Sequence, residues 1–260
     1  MTDIVGGRNP ALTRVRRLAR DRALRRQEGV YLVEGPTLVV DALSAGREVE
    51  QVFVPAEAAS SAVAAASETS GVPCRLVDDA LFDGLTTTMS AQPAIAVVAR
   101  HDVSVPDLPA DGVVVVLAEV ADPGNAGTLV RSAEAFGASG VIFAGGVDPY
   151  NPKCVRATAG SLFRLPFAVL EGDGAVEEAL IQLEASGRHC WGSVAEGGIP
   201  PTEVPAGRPI ALLLGNEPHG LAEDALARCE GLVTVATTGS GDSLNVAVAG
   251  AVLLYALAAR

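Results

Sequence analysis

Asn125, Arg131, Glu217, Ser243 and Asn245 stand at three places where an apolar run gives way to glycine and polar side chains: ADPGNAGTLVRSAEAFGAS, IALLLGNEPHGL and TTGSGDSLNVAVAG. In the first, Asn125 sits where a helix N-cap belongs, after the strand VVVVLAEV (113–120). Arg131 lies six residues on and shares the broad side of Glu134, with which a surface ion pair is the plainer alternative. In the second, a buried strand delivers Gly215, Asn216 and Glu217 at its carboxyl end, where a carboxylate must be paired or solvated. In the third, Gly239 and Gly241 free the backbone, and Ser243 is placed to cap a helix starting near Leu244. Such junctions suit a ligand that hydrogen-bonds to backbone, an anion, or both. A plain strand–helix connection needs the same residues.

The elements that would position these groups alternate between strand and helix. Pro10–Gln27 reads as one amphipathic helix with Leu12, Val15, Leu18 and Ala19 inward. Short strands at 31–35, 50–55, 74–78 and 94–100, with helices between, make a small α/β domain over 1–100. HDVSVPDLPADG (101–112), with Pro106 and Pro109, reads as a linker. From 113 to 260 continuous apolar strands alternate with helices, which indicates a mostly parallel sheet covered on both faces. In a parallel sheet all three junctions emerge on one edge, where open α/β sheets bind ligands. Asn125, Arg131, Glu217, Ser243 and Asn245 are therefore expected around one cleft. The spacing is not GxGxxG, and no acidic residue follows at the usual distance. A nucleotide-cofactor oxidoreductase thus rests on the alternation alone.

Charge is unevenly spread. Residues 1–30 hold eight arginines against three carboxylates, a balance of +5, which leaves −17 on the rest of a chain whose net charge is −12. Lys153 is the only lysine, so nearly all positive charge is guanidinium, the better fork for phosphate. A basic arm on an acidic body fits a local RNA contact through Arg14, Arg17, Arg25 and Arg26, or a solvated helix face. Cys74, Cys154, Cys190 and Cys229 form no CxxC pair, and His101, His189 and His219 are scattered, so neither a zinc site nor a disulfide framework is expected. No apolar run reaches the roughly 18–20 residues of a membrane span, and MTDIVGGRNP is not of signal-peptide type. A soluble, cytoplasmic protein is the expectation.

Together the three stretches resemble the motifs of the SpoU-type RNA ribose 2′-O-methyltransferases of the SPOUT superfamily. N-x-G-x-x-x-R-x-A-x-x-F-G is matched by Asn125, Gly127, Arg131, Ala133, Phe136 and Gly137. L-G-x-E-x-x-G-L is matched by Leu214, Gly215, Glu217, Gly220 and Leu221, and S-L-N-V-x-x-A by Ser243, Leu244, Asn245, Val246 and Ala249. DPYNPKCVRATAGSLFRLP (148–166) is also typical of the family, and YLVEGPTLVVDAL is similar to the ribosomal-protein-like substrate-binding domain of its rRNA-modifying members.

The resemblance implies S-adenosylmethionine as methyl donor, a C-terminal trefoil knot, a homodimer, and RNA as partner, rRNA before tRNA. It implies cofactor contacts from Ala195, Gly215, Val235 and Leu244, largely through backbone. Arg131 matches the family's catalytic arginine, with Asn125, Glu217, Ser243 and Asn245 around it. A guanidinium hardly ever gives up its proton, so an electrostatic role on phosphate and developing alkoxide is the easier one for Arg131. A binding-only paralogue is the rival, disfavoured because no expected catalytic position is substituted. Ala256 departs from a Glu that many relatives carry after the tyrosine, here Tyr255.

Overall fold

The computed structural model describes residues 9–59, 61–85, 93–238 and 244–258. The chain divides into two compact units, one of residues 1–101 with Tyr150–Phe163, the other of Asp102–Pro149 and Arg164–Arg260.

The first unit runs α1 (Pro10–Arg20), α2 (Arg22–Glu28), β1 (Val30–Glu34), α3 (Pro36–Ser44), β2 (Val49–Pro55), α4 (Ala62–Thr69), β3 (Cys74–Val77), α5 (Asp79–Phe82) and β4 (Ile95–Ala99). Its sheet has the order β1-β4-β2-β3, with β4 antiparallel to both neighbours and β3 parallel to β2. The single helix expected over Pro10–Gln27 is two. Asp21 breaks it with an extended backbone, φ −109° and ψ 102°, and its side chain accepts from the Leu24 N–H at 3.0 Å. A short carboxylate competes with the helical backbone and favours a cap.

Asp102–Pro149 and Arg164–Arg260 carry β5 (Val113–Ala118), α6 (Pro123–Ala135) and β6 (Gly140–Ala144). The helix α7 (Pro152–Ala157), which follows β6 in the chain, belongs to the first unit. The second unit continues with β7 (Phe167–Leu170), α8 (Ala175–Ala185), β8 (His189–Ser193), β9 (Ile210–Leu214), α9 (Glu223–Ala227), β10 (Gly231–Val233) and α10 (Val246–Ala258). The sheet order is β10-β8-β9-β5-β6-β7 and every pairing is parallel. Val114, Val116, Ala118, Ala211 and Leu213 face a core shared with α8 and α9. The other face takes α6 and α10, where Gly250 lies against Leu129 and Leu214. Strands buried on both faces explain the unbroken apolar runs. The chain winds outward from β5 to β7 and returns through β8 and β9, so the order reverses between β5 and β9, the kind of place where α/β sheets open a ligand crevice.

Within 101–112, the stretch expected as a linker, the Val103 N–H donates to the Phe167 carbonyl at 2.9 Å, and Val105 and Leu108 are buried in the second unit's core. Arg188, buried at the foot of the sheet, donates to the carbonyls of Gly112 and Ile210 at 2.9 and 3.4 Å and to that of Pro109. Burial lowers its pKa, with the Asp111 charge opposing.

Candidate functional site

The turn after β5 begins with Glu119 in the left-handed region at φ +57°, its N–H held by the Ala144 carbonyl at 2.9 Å. Asp122, not Asn125, is the N-cap of α6, accepting from the Asn125 N–H at 2.9 Å with Pro123 as the first helical residue. Asp-Pro fits cap and first position better than any later pair. Asn125 is thereby placed inside the first turn with its side-chain amide available. Its Nδ2 donates to Glu217 Oε1 at 2.9 Å, and its Oδ1 accepts from Asn245 Nδ2 at 3.1 Å.

Glu217 arrives from the turn after β9. A Cβ on Gly215 would collide with the Gly220 backbone and come within 2.6 Å of the Leu221 nitrogen, so only glycine lets the chain close on itself there. The turn is sealed by paired Asn216–Gly220 backbone bonds of 3.1 and 2.8 Å. Glu217 also accepts from the Ala121 and Asp122 N–H groups at 3.3 and 3.4 Å. Burial works to raise the Glu217 carboxyl, but the bonds from Asn125 and from the backbone of Glu217, Ala121 and Asp122 outweigh it, and it titrates below the ordinary carboxylate range.

The third junction differs from expectation. The helix opens at Val246 with Asn245 as its cap: the Asn245 Oδ1 accepts from Ala247 and Val248 N–H at 2.9 and 3.3 Å. Ser243, expected as that cap, lies outside the described residues, as do Gly239 and Gly241.

A cavity of about 680 Å³ opens at the carboxyl ends of β8, β9 and β10. Ala195, Gly215, Val235 and Leu244 all line it, and so do Glu217 and Asn245. Asn125 joins through its bonds to both. Arg131 is exposed on α6, outside this lining, and forms no ion pair or hydrogen bond with the described residues. Glu134, its alternative partner, is instead paired with Arg164 through both guanidinium and carboxylate edges. Asn216, His219 and Glu196 also line the cavity. None was given a site role from the sequence: Asn216 and His219 fall between the matched residues of the second motif, and Glu196 lies outside all three. Among the described residues no group of three or more His, Cys, Asp or Glu side chains could hold a metal ion.

The basic arm is only partly a surface. Arg25 is 4% exposed and donates to the Leu18 carbonyl at 2.7 Å, so it is a structural side chain that bridges the α1–α2 break rather than an RNA contact. Arg14 is held between Glu28 and Glu50 at 2.6 and 2.7 Å, its pKa raised chiefly by Glu50. Arg17 and Arg26 are exposed.

Residues 112–255 match the SpoU rRNA Methylase family. The chain belongs to that family. Residues 9–96 match the MRM3-like substrate binding domain. The chain is 32% identical over 234 residues to 23S rRNA (guanosine(2553)-2'-O)-methyltransferase RlmP of Bacillus subtilis, covering 90% of each. The crystal structure of the SpoU methyltransferase AviRb from Streptomyces viridochromogenes, in complex with the cofactor AdoMet, superposes with a TM-score of 0.86 at 28% identity over 97% of this chain and 98% of that one. An AdoMet-bound rRNA methyltransferase from Sinorhizobium meliloti gives 0.85 at 27% identity, covering 98% and 96%. Within this SpoU family chain, the three motif stretches form the Asn125–Glu217–Asn245 network beside the cavity.

Proposed function

We propose that this chain transfers a methyl group from S-adenosylmethionine to a ribose 2′-hydroxyl of ribosomal RNA, as a cytoplasmic homodimer. The observation that carries the reading is the hydrogen-bonded Asn125–Glu217–Asn245 cluster at the wall of a 680 Å³ cavity on the reversal side of a parallel sheet. The volume suits a nucleoside-sized ligand. The small or apolar surfaces of Ala195, Gly215, Val235 and Leu244 leave backbone groups within reach of a purine, so the residues fit the cofactor. When bound, its sulfonium supplies an electrophilic methyl.

The chain's own residues then have one task, to align an acceptor hydroxyl and to stabilise the charge that develops on it. Glu217 fixes the Asn125 amide, and Asn125 fixes Asn245, so the three turns hold one geometry. Arg131 is the cation for the phosphate and the alkoxide. Its face of α6 lies outside the cavity of its own chain, and a second copy brings it into play. Val248, Val252 and Tyr255, 41–63% exposed along α10, form the apolar stripe on which that copy would sit. The loop after β8 is stitched to β10 by the Ile199–Val233 bridge, and the trefoil knot is read from membership of the family. Residues 1–100 are read as the RNA-binding domain, with Arg17 and Arg26 on its exposed surface.

The test is transfer of tritiated methyl from S-adenosylmethionine to rRNA, with alkali-resistant dinucleotides isolated afterwards. Label in such dinucleotides is the expected result. Label confined to bases, or none on rRNA, sinks the reading.

A further inference from the structure

Asn216 is satisfied on one side only. Its Nδ2 donates to the Glu119 carbonyl at 3.1 Å, while its Oδ1 is buried without a hydrogen-bond partner. A buried acceptor left unpaired is a cost that a smaller apolar residue would not carry. Within the chain, what the amide supplies is its donor.

That donor grips a residue in an unusual state. Glu119 is a non-glycine residue at φ +57°, a region L side chains seldom occupy, and such a conformation persists where its surroundings over-determine it. Its N–H is held by Ala144 and its carbonyl by Asn216. The turn it makes sets the direction of the chain two and three residues later, where the Ala121 and Asp122 N–H groups point into the Glu217 carboxylate. Asn216 is also the chain neighbour of Glu217, within the sealed 216–220 turn. One side chain thus ties the donors of these bonds to the element that carries their acceptor.

We infer that Asn216 is a positioning residue for the transfer site: its amide locks the turn after β5 onto the turn after β9, and so holds the Glu217–Asn125–Asn245 network in register. The inference rests on the proposed role of that network. The titratable groups that share these turns or the cavity lining with Glu217 among the described residues are Glu119 and Asp122 on the turn after β5, His219 on its own turn, and Glu196 from the loop after β8. From α10 comes the neutral Asn245.

Asn216→Ala in the full-length protein tests this. Carboxyl carbon NMR, with the Glu217 resonance assigned by Glu217→Gln, follows the titration of Glu217 without cofactor or RNA. With the turn released, the Ala121 and Asp122 N–H groups drift from the carboxylate, and its pKa is expected to rise by about one unit, a tenfold change in proton affinity. Methyl transfer to rRNA is expected to fall tenfold or more. The melting temperature is expected to hold, because the unpaired acceptor leaves with the donor and Glu119 is exposed, so water takes up its carbonyl. An unmoved Glu217 titration overturns the inference, and so does a rate loss that only tracks an increased unfolded fraction. If wild-type protein methylates no ribose while the Glu217 shift is seen, the proposed function fails and the positioning role stands.

Discussion

The Glu217 carboxylate accepts from Asn125 Nδ2 and from two backbone N–H groups, so its oxygens are already committed as acceptors. A group in that state orients its neighbours better than it removes protons. Glu217→Gln keeps the outline but turns an NH2 toward donors, and we expect a 10- to 100-fold loss of kcat, about 1.4–2.8 kcal/mol in the barrier. A steady-state assay that finds full kcat would show the carboxylate to be dispensable. Its folded-state pKa lies below the ordinary value, so its contribution to stability is present above the ordinary carboxylate range and lost as pH falls through the folded value. Wild-type and Glu217→Gln melting temperatures should converge on acidification, and divergence instead would contradict the assigned direction. Arg131 stands differently, with no ion pair among the described residues. Arg131→Ala should cost at least about 100-fold in transfer by removing charge stabilisation, with cofactor affinity by calorimetry unchanged. Loss of cofactor binding in this variant would move Arg131 from the reaction to the cavity.

The helix α10 brings Asn245 to the cluster, and its depth is set by one small residue. A Cβ on Gly250 would fall well inside contact distance of Leu129 and within 2.7 Å of Leu214, both buried. Gly250→Val should push α10 off α6 and β9, stretch the Asn245–Asn125 bond, and destabilise by about 2 kcal/mol or more through overpacking. Denaturant melts and cofactor titration on the same sample read both effects, and a variant that keeps full stability and affinity would show that the interface has slack. At the other end of the chain, the exposed Arg17 and Arg26 predict that Arg17→Ala/Arg26→Ala flattens the slope of log affinity for rRNA against log salt by about 1–2. An unchanged slope would return them to solvated helix faces. The strands and helices around the site were legible because apolar runs report local geometry. The motifs named Asn125, Glu217 and Asn245, and Asp122-Pro123 is the local signal that the cap lies before Asn125, yet nothing local shows that Asn125 then links two residues 92 and 120 positions away. The break at Asp21 and the burial of Arg25 were missed for the same reason: each is decided by a hydrogen bond that composition does not display.

Over the whole chain, two units share the sequence unevenly. Tyr150–Phe163 follows β6 of the second unit yet packs in the first, where the His101 N–H donates to the Tyr150 hydroxyl at 3.0 Å and the Tyr31 and Tyr150 rings lie 4.6 Å apart, tilted by 46°. Arg100 lies 4.7 Å over the Tyr150 ring. In the same block Arg156 pairs at 2.8 Å with Glu34, whose side chain is 1% exposed at the end of β1. A segment expected within a 113–260 domain therefore completes the core of the other unit, which no periodicity reveals, since it depends on partners 120 residues away. Arg156→Ala leaves the Glu34 carboxylate buried without this cation, and such removals cost about 3–5 kcal/mol. Glu34→Gln/Arg156→Ala replaces the buried charge by a neutral amide and should recover a large part of that loss. The signature is thus a melting temperature that falls sharply in the single variant and rises again in the double. If the two variants melt together, the ion pair does not hold this segment, and its other contacts, those of Tyr150 among them, carry it.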